Sequence, residues 1–212
     1  MSMMYNGTQD KGFYDHVVVD IETLGTIPGA PIVQIAAVAF DLGASEDEWE
    51  LFEVKVDVRS LIYKEGISFA TLAWWFSQDK GTIDEVFGEA ERLEIASALN
   101  SFHKWLGFTH TKTLWGNGAA FDNELLKAAL LQYCDIREPW NFRIDRCFRT
   151  VKNLYKEQVP EPHFIGTKHN ALDDAMHQAR WLTKILLYKQ GADITVKQLL
   201  NHVGLPTDKI TP

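Results

Sequence analysis

The stretch HVVVDIETLG, residues 16–25, decides how the rest of the chain is read. Val17 to Val19 and Ile21 form a β-branched run that ends in a glycine turn, the composition of a strand. Two acids, Asp20 and Glu22, are set into that run. Residues two apart on a strand point to the same face. Two carboxylates on one face repel each other, and the neighbouring valines and Ile21 supply no counter-charge. A divalent cation between the carboxylates makes such a pair stable. A strand end that simply reaches solvent is the plainer account of the same residues.

Outward from this strand, PIVQIAAVAFDL (31–42) and EWELFEVKVDV (48–58) read as a second and a third strand, antiparallel through the loop at 43–47. SFATLAWWFSQ (68–78) reads as a helix capped by Ser68, and EIASALNSFHKWL (94–106) as one with Ile95, Leu99, Phe102 and Leu106 on a single face. KTLWGN is a short buried strand. DNELLKAALLQY is a helix that Asp122 caps. NALDDAMHQARWLTKILLYKQ is the longest helix, with Ala171, Ala175, Ala179, Leu182 and Leu186 facing the core, and one more short helix is expected near Thr195 to Val203. Strands as a meander, then strands alternating with helices, predict an α/β fold: a mixed sheet, first antiparallel and then parallel, flanked by helices.

A chain of 212 residues, 46% hydrophobic and 24% charged, holds one domain core and a polar cleft. We expect a polar arm over 1–11, the domain over 12–190 and a short helical extension over 191–212. The net charge of -8 argues against coating duplex nucleic acid by phosphate neutralisation alone. It leaves room for an enzyme that grips a few nucleotides at one end. Arg137, Arg143, Arg146, Arg149, Lys152 and Lys156 form a local basic stretch, diluted by Glu138, Asp145 and Glu157. It reads equally as a solvated face or a phosphate-facing rim. Cys134 and Cys147 lack metal-site spacing and make no disulfide framework, so both are expected reduced and buried. No apolar run spans a bilayer and no N-terminal segment joins basic residues to an apolar run. The expected setting is the cytosol, away from any membrane.

Two further acid clusters follow. In LWGNGAAFDNELL, Asp122 opens a helix after a glycine-rich turn, where an N-cap role alone explains it. In HNALDDA (169–175) an imidazole and two acids gather at the start of the long helix. His169 and Asp173 share a helical face if both are helical. If His169 lies in the preceding loop its direction is free, so periodicity does not choose between Asp173 and Asp174.

DIET, the isolated FDN acid and HNALDDA resemble, in order and separation, the three motifs of the DEDDh group within the DnaQ-like, RNase-H-related 3′→5′ exonucleases. The resemblance covers roughly Val17 to Tyr188. Its pattern, a histidine followed five residues later by aspartate, selects Asp174 over Asp173. TLAWWFSQ (71–78) and WNFRIDRCFRTV (140–151) are similar to segments of a finer subgroup. That subgroup includes phage exonuclease A and bacterial exoribonuclease-like proteins, some catalogued as exodeoxyribonuclease VIII.

The resemblance implies an RNase-H-like sheet and two divalent cations, Mg²⁺ or Mn²⁺, acting on 3′ ends of single-stranded DNA or RNA. Asp20, Glu22 and Asp174 would hold the first ion, with Asp20 bridging to a second that Asp122 orients. His169 would take a proton from the attacking water. The Thr23 backbone would meet the terminal 3′-OH and Leu24 would wedge against the last base. Trp74, Trp75 and Phe121 are stacking surfaces, with at most one of the two tryptophans on a base. Gln78, Asn117 and Asn123 would bond sugar or base edges, and Arg149 a phosphate. Many relatives are dimers, so a homodimer is possible. The rival readings are a nucleic-acid-binding module that has lost catalysis and a polymerase-associated proofreading subunit.

Overall fold

The computed structural model describes residues 12–62, 66–88 and 90–202, with the backbone alone from 192. The arm expected over 1–11 and the chain beyond His202 lie outside the described residues. Three strands come first: β1 (His16–Thr23), β2 (Ile32–Phe40) and β3 (Glu50–Lys55). Three helices follow, α1 (Phe69–Phe76), α2 (Lys80–Phe87) and α3 (Ile95–Thr109). The remainder is β4 (Thr113–Gly116), α4 (Asp122–Cys134), β5 (Asp145–Cys147), α5 (Phe148–Tyr155) and α6 (Ala171–His202).

The sheet runs β3-β2-β1-β4-β5. β2 is antiparallel to both β1 and β3, whereas β4 is parallel to β1 and β5 to β4. This is the mixed sheet, meander first, that the order of elements predicts. Two cores sandwich it. Val17, Val19 and Ile21 of β1 pack with Leu99 and Phe102 of α3 and Leu125 and Leu126 of α4. Val18 packs on the other side with Phe148 and the α6 residues Ala175, Ala179 and Leu182. Ala171, Ala175 and Ala179 are fully buried. Such small side chains let α6 lie close against β1 and β2.

The ends of the elements follow their chemistry. Ser68 caps α1 by accepting from the Thr71 amide, as expected. Asp79 does the same for α2 through the Thr82 amide. The helix expected near Thr195 is not separate: α6 runs unbroken through Gly191 to His202. A lone glycine costs a helix only about 1 kcal/mol, and no proline intervenes. Cys134 and Cys147 are free, as expected, but half-buried rather than buried, because each is the last residue of its element, where the chain turns away from the core. Among the described residues no helix is long and apolar enough to cross a membrane.

Candidate active site

The carboxyl end of β1 carries the first acids. Asp20 and Glu22 follow Val18 on the face turned to α6, and each keeps only 8% of its surface exposed. The pairing of β1 with β2 slips between Glu22 and Thr23. Such a bulge bends the strand where pairing ends and re-aims its side chains.

Asp122 does not cap α4, contrary to expectation. It is the helix's first residue, and its Oδ2 accepts from the Gly118 amide at 3.0 Å. The loop before it folds back, so the carboxylate faces inward at 2% exposure. Gly116 permits this approach: a Cβ there would stand 2.9 Å from the Asp122 Cβ and 2.5 Å from the Asn123 Oδ1.

HNALDDA is resolved by its loop geometry. His169 precedes α6 with φ of 66°, in the left-handed region. Its amide donates to Asp174 Oδ2 at 2.9 Å. Asp173 turns the other way and accepts from the Thr167 amide at 2.7 Å. It fills the space a side chain on Gly166 (φ 112°) would need. Asp174 therefore faces β1 and Asp173 the loop. Ligating atoms of Glu22, His169 and Asp174 all lie within 4.8 Å of one another.

Burial pushes the Asp20 carboxyl well above its ordinary range, and the charges of Asp122 and Asp174 push it further; the hydrogen bond from Gln178 pulls back. Glu22 is driven up by burial and then by Asp20, Asp174 and Asp122. Asp122 is pushed up to about 6 by burial, against the Gly118 amide and the Arg149 charge. Asp174 is raised by burial, opposed by the His169 amide. The permanent cation that acts on this group of acids is Arg149, on Asp122, and it does not offset burial.

Three residues that sequence reasoning missed build this centre. Gln178 Nε2 donates to Asp20 Oδ1 at 2.7 Å. It stands four residues after Asp174, on the same helical face, a signal that periodicity offers. Gln34, opposite Glu22 on β2, accepts from the first amide of α6 at 3.2 Å and so ties the helix start to the sheet. Asn170 caps α6 by accepting from the Leu172 and Asp173 amides. A lone polar residue inside PIVQIAAV was the visible mark of Gln34.

Two cavities meet at Ile21, Glu22 and Phe121. The first, about 320 Å³, contains Asp20, Asp122, His169 and Asp174, with Asn117 and Arg149 in its wall. The second, about 410 Å³, is lined by Thr23, Ser68, Thr71 and Trp74. Trp74 is 40% exposed and stands edge-on to the His169 ring, 4.8 Å between centroids. Trp75, named as a stacking surface, offers no open face. It is 3% exposed, packs edge-on against Phe87 and donates from Nε1 to the Thr23 carbonyl at 2.9 Å. Leu24 packs on that same small cluster with Val33 and Val86.

Asn123 is also corrected. It is fully buried, and its amide donates to the Leu114 carbonyl and to Asp145 Oδ1, so it reaches no sugar or base. Gln78 turns its amide back onto the Trp74 carbonyl at 3.0 Å and lines neither cavity. Asn117 does line the first, with its Oδ1 buried and unpartnered among the described residues.

No curated protein matches the chain. Solved structures of E. coli exonuclease I do, among them two at TM-score 0.53 and 15% identity. The complex with a 5cy-dT13 oligonucleotide matches over 87% of this chain and 44% of that one. The complex with a 5cy-dA13 oligonucleotide matches over 79% and 39%. The RNase domain of yeast Pop2 is matched at TM-score 0.48 and 13% identity, over 84% of this chain and 78% of that one. The chain spans less than half the length of the exonuclease I chains. At that identity the exonuclease I likeness shows the fold, an RNase-H-like sheet. A family model described as the 3'-5' exoribonuclease Rv2179c-like domain matches residues 15–186, from the start of β1 through most of the site-facing part of α6. With the four acids and His169 all inside that match, which takes in most of the chain, the chain belongs to the Rv2179c-like 3′-5′ exoribonuclease domain family.

Proposed function

We propose that this chain is a metal-dependent 3′→5′ exonuclease that releases nucleoside 5′-monophosphates from the 3′ ends of single strands. The observation that carries the reading is the approach of Glu22, His169 and Asp174 to within 4.8 Å beside the buried Asp20 and Asp122. The donor set fits hard divalent cations: carboxylate oxygens, buried together, each raised by burial, and Asp20 and Glu22 also by their neighbours' charge. Asp20, Glu22 and Asp174 would hold one ion and Asp20 with Asp122 a second, Mg²⁺ or Mn²⁺. Bound there, two such ions supply positive charge to the attacking and leaving oxygens of an in-line displacement.

The chain's own groups do the rest. His169 takes the proton of the attacking water, and the bond from its amide to Asp174 fixes the loop that aims the ring. Gln178 holds one oxygen of Asp20 and leaves the other to the centre. The terminal nucleoside enters the cavity of Thr23 and Trp74, with Leu24 and Phe121 beside it. Arg149 meets a phosphate and Asn117 a sugar hydroxyl. The family's name points to RNA, and the exonuclease I complexes hold DNA oligonucleotides, so both strands belong in the test. TLAWWFSQ and WNFRIDRCFRTV support placement in the subgroup of phage exonuclease A, with 12–190 as the exonuclease unit and 191–212 as an extension.

The test is digestion of 5′-labelled single-stranded RNA and DNA with Mg²⁺, with Mn²⁺ and with chelator. A ladder shortening by single nucleotides, lost with chelator and in Asp20→Ala, is expected. Equal digestion of circular strands, which have no end, would sink the reading.

A further inference from the structure

The two cavities that meet at Glu22 are chemically unlike. The one containing Thr23 and Trp74 is walled by hydroxyl, apolar and aromatic side chains, and Glu22 is its one charged residue. The one containing the other carboxylates extends past them to Lys152 and Lys168, along Phe164, His177 and Trp181. Neither lysine makes an ion pair among the described residues. The Lys152 ammonium rests 5.6 Å from the Phe148 ring centroid and 5.5 Å from that of Trp181. The Lys168 ammonium rests 6.0 Å from that of Phe164. A cation over an aromatic face is weakly held where water reaches it, so each is free to leave for an anion. Glu161, the acid of this wall beyond the four site carboxylates, is engaged by His177 Nε2 at 3.0 Å. His177 is 6% exposed, with its other nitrogen unpartnered, and its ring lies 4.8 Å from that of Phe164, which gives this end of the cavity a fixed wall.

A strand cut at its 3′ end has the same asymmetry. On one side of the scissile phosphate lies a nucleoside with no further phosphate. On the other the chain continues with one phosphate per nucleotide. We propose that Lys152 and Lys168 form a subsite for the phosphodiester that follows the scissile one on its 5′ side. This rests on the exonuclease reading and adds to it a reason why strands are taken in preference to isolated nucleotide esters: the second phosphate finds two ammonium groups that pair with no acid among the described residues.

The test removes the charge from the substrate and from the protein in turn. The metal-loaded protein is given a 5′-labelled strand, RNA or DNA, whichever is digested faster. A second strand is identical but carries a neutral methylphosphonate at the second linkage from the 3′ end. Single-turnover kcat/KM for release of the first nucleotide is measured for the unmodified protein and for Lys152→Gln/Lys168→Gln. The methylphosphonate slows the unmodified protein about tenfold and the double variant less than about twofold, since an attraction already abolished in the protein has nothing left for the substrate change to remove. Each ratio is taken within one protein, so partial misfolding of the variant cancels. Equal slowing of both proteins, or none in the unmodified one, overturns the subsite and leaves the exonuclease reading standing. No release from the unmodified strand overturns both.

Discussion

The two faces of β1 share one backbone and one register, yet burial acts on them in opposite senses. Val17, Val19 and Ile21 point into the core of α3 and α4 and are at most 4% exposed. Val18, Asp20 and Glu22 point to α6 and are nearly as buried, at most 8% exposed. On the first face burial stabilises by roughly 25 cal/mol per Å² of apolar surface. On the second it drives carboxyl groups upward, away from the charge that a metal centre needs. One strand thus holds both the fold's surplus of stability and the site's deficit. Changes on the two faces should therefore separate stability from activity.

The sharpest break lies on the acidic face. Asp20→Ala and Asp174→Ala should each lower single-turnover hydrolysis at least about 10³-fold, about 4 kcal/mol of transition-state stabilisation. The metal-free melting temperature should hold or rise, because like charges are relieved. Undiminished hydrolysis in a clean preparation rejects the metal assignment.

His169→Ala comes next, with a loss of about 10²–10⁴-fold in turnover and little change in substrate affinity. Turnover at nearly the full rate in His169→Ala removes His169 as the base.

The apolar face should answer in the other coordinate. Val19→Ala, at a fully buried position, should cost about 2 kcal/mol in a denaturant melt from two missing methyl groups and the space they leave. The rate per folded molecule should not change. A variant that loses rate without losing stability would dissolve the distinction between the faces.

Acidity sharpens the comparison further. Asp122 is raised to about 6 in the folded chain. A carboxyl whose folded pKa lies above its unfolded one, near 3.9, stabilises below the unfolded value and loses that contribution as pH rises through the folded one. From pH 5 to 8 the metal-free protein should thus lose stability relative to Asp122→Asn, by about 3–6 °C in melting temperature. The half-buried His16, held below its ordinary pKa by desolvation, works in the opposite direction in both proteins and cancels in the difference. Added Mn²⁺ should close the gap; a gap that does not respond to pH or metal contradicts the electrostatic account.

The smallest effect is expected at Asp173, whose carboxylate holds the Thr167 amide. Asp173→Ala should keep activity within about tenfold and cost roughly 1 kcal/mol, as for loss of one backbone-bonded cap. A ranking of Asp173→Ala below Asp174→Ala in side-by-side assays would mean the loop points the other acid inward.

Much of this was legible before any coordinates. Alternation and β-branching identified β1 to β3, helical spacing placed α3 and α6, and Ser68 marked the start of α1. Asp20 and Glu22 shared a face by period alone. Three short elements were not legible: α2, β5 and α5 have eight residues or fewer, too few for a period to stand out, whereas the equally short α1 and β4 were marked by the Ser68 cap and by an apolar run before a glycine turn. The choice between Asp173 and Asp174 needed a family pattern, because a histidine outside the helix has no direction that periodicity fixes. Tertiary structure decided that direction through the φ of His169 and the amide it gives Asp174. It also decided which of two adjacent tryptophans is wall and which is surface, and it turned the Asp122 carboxylate inward onto the Gly118 amide, where the local sequence allowed a helix cap. Sequence determines which side chains share a face of one element, since that follows from local backbone geometry. Which faces meet, and what a buried acid finds opposite it, depends on packing between segments as distant as Asp20 and Gln178.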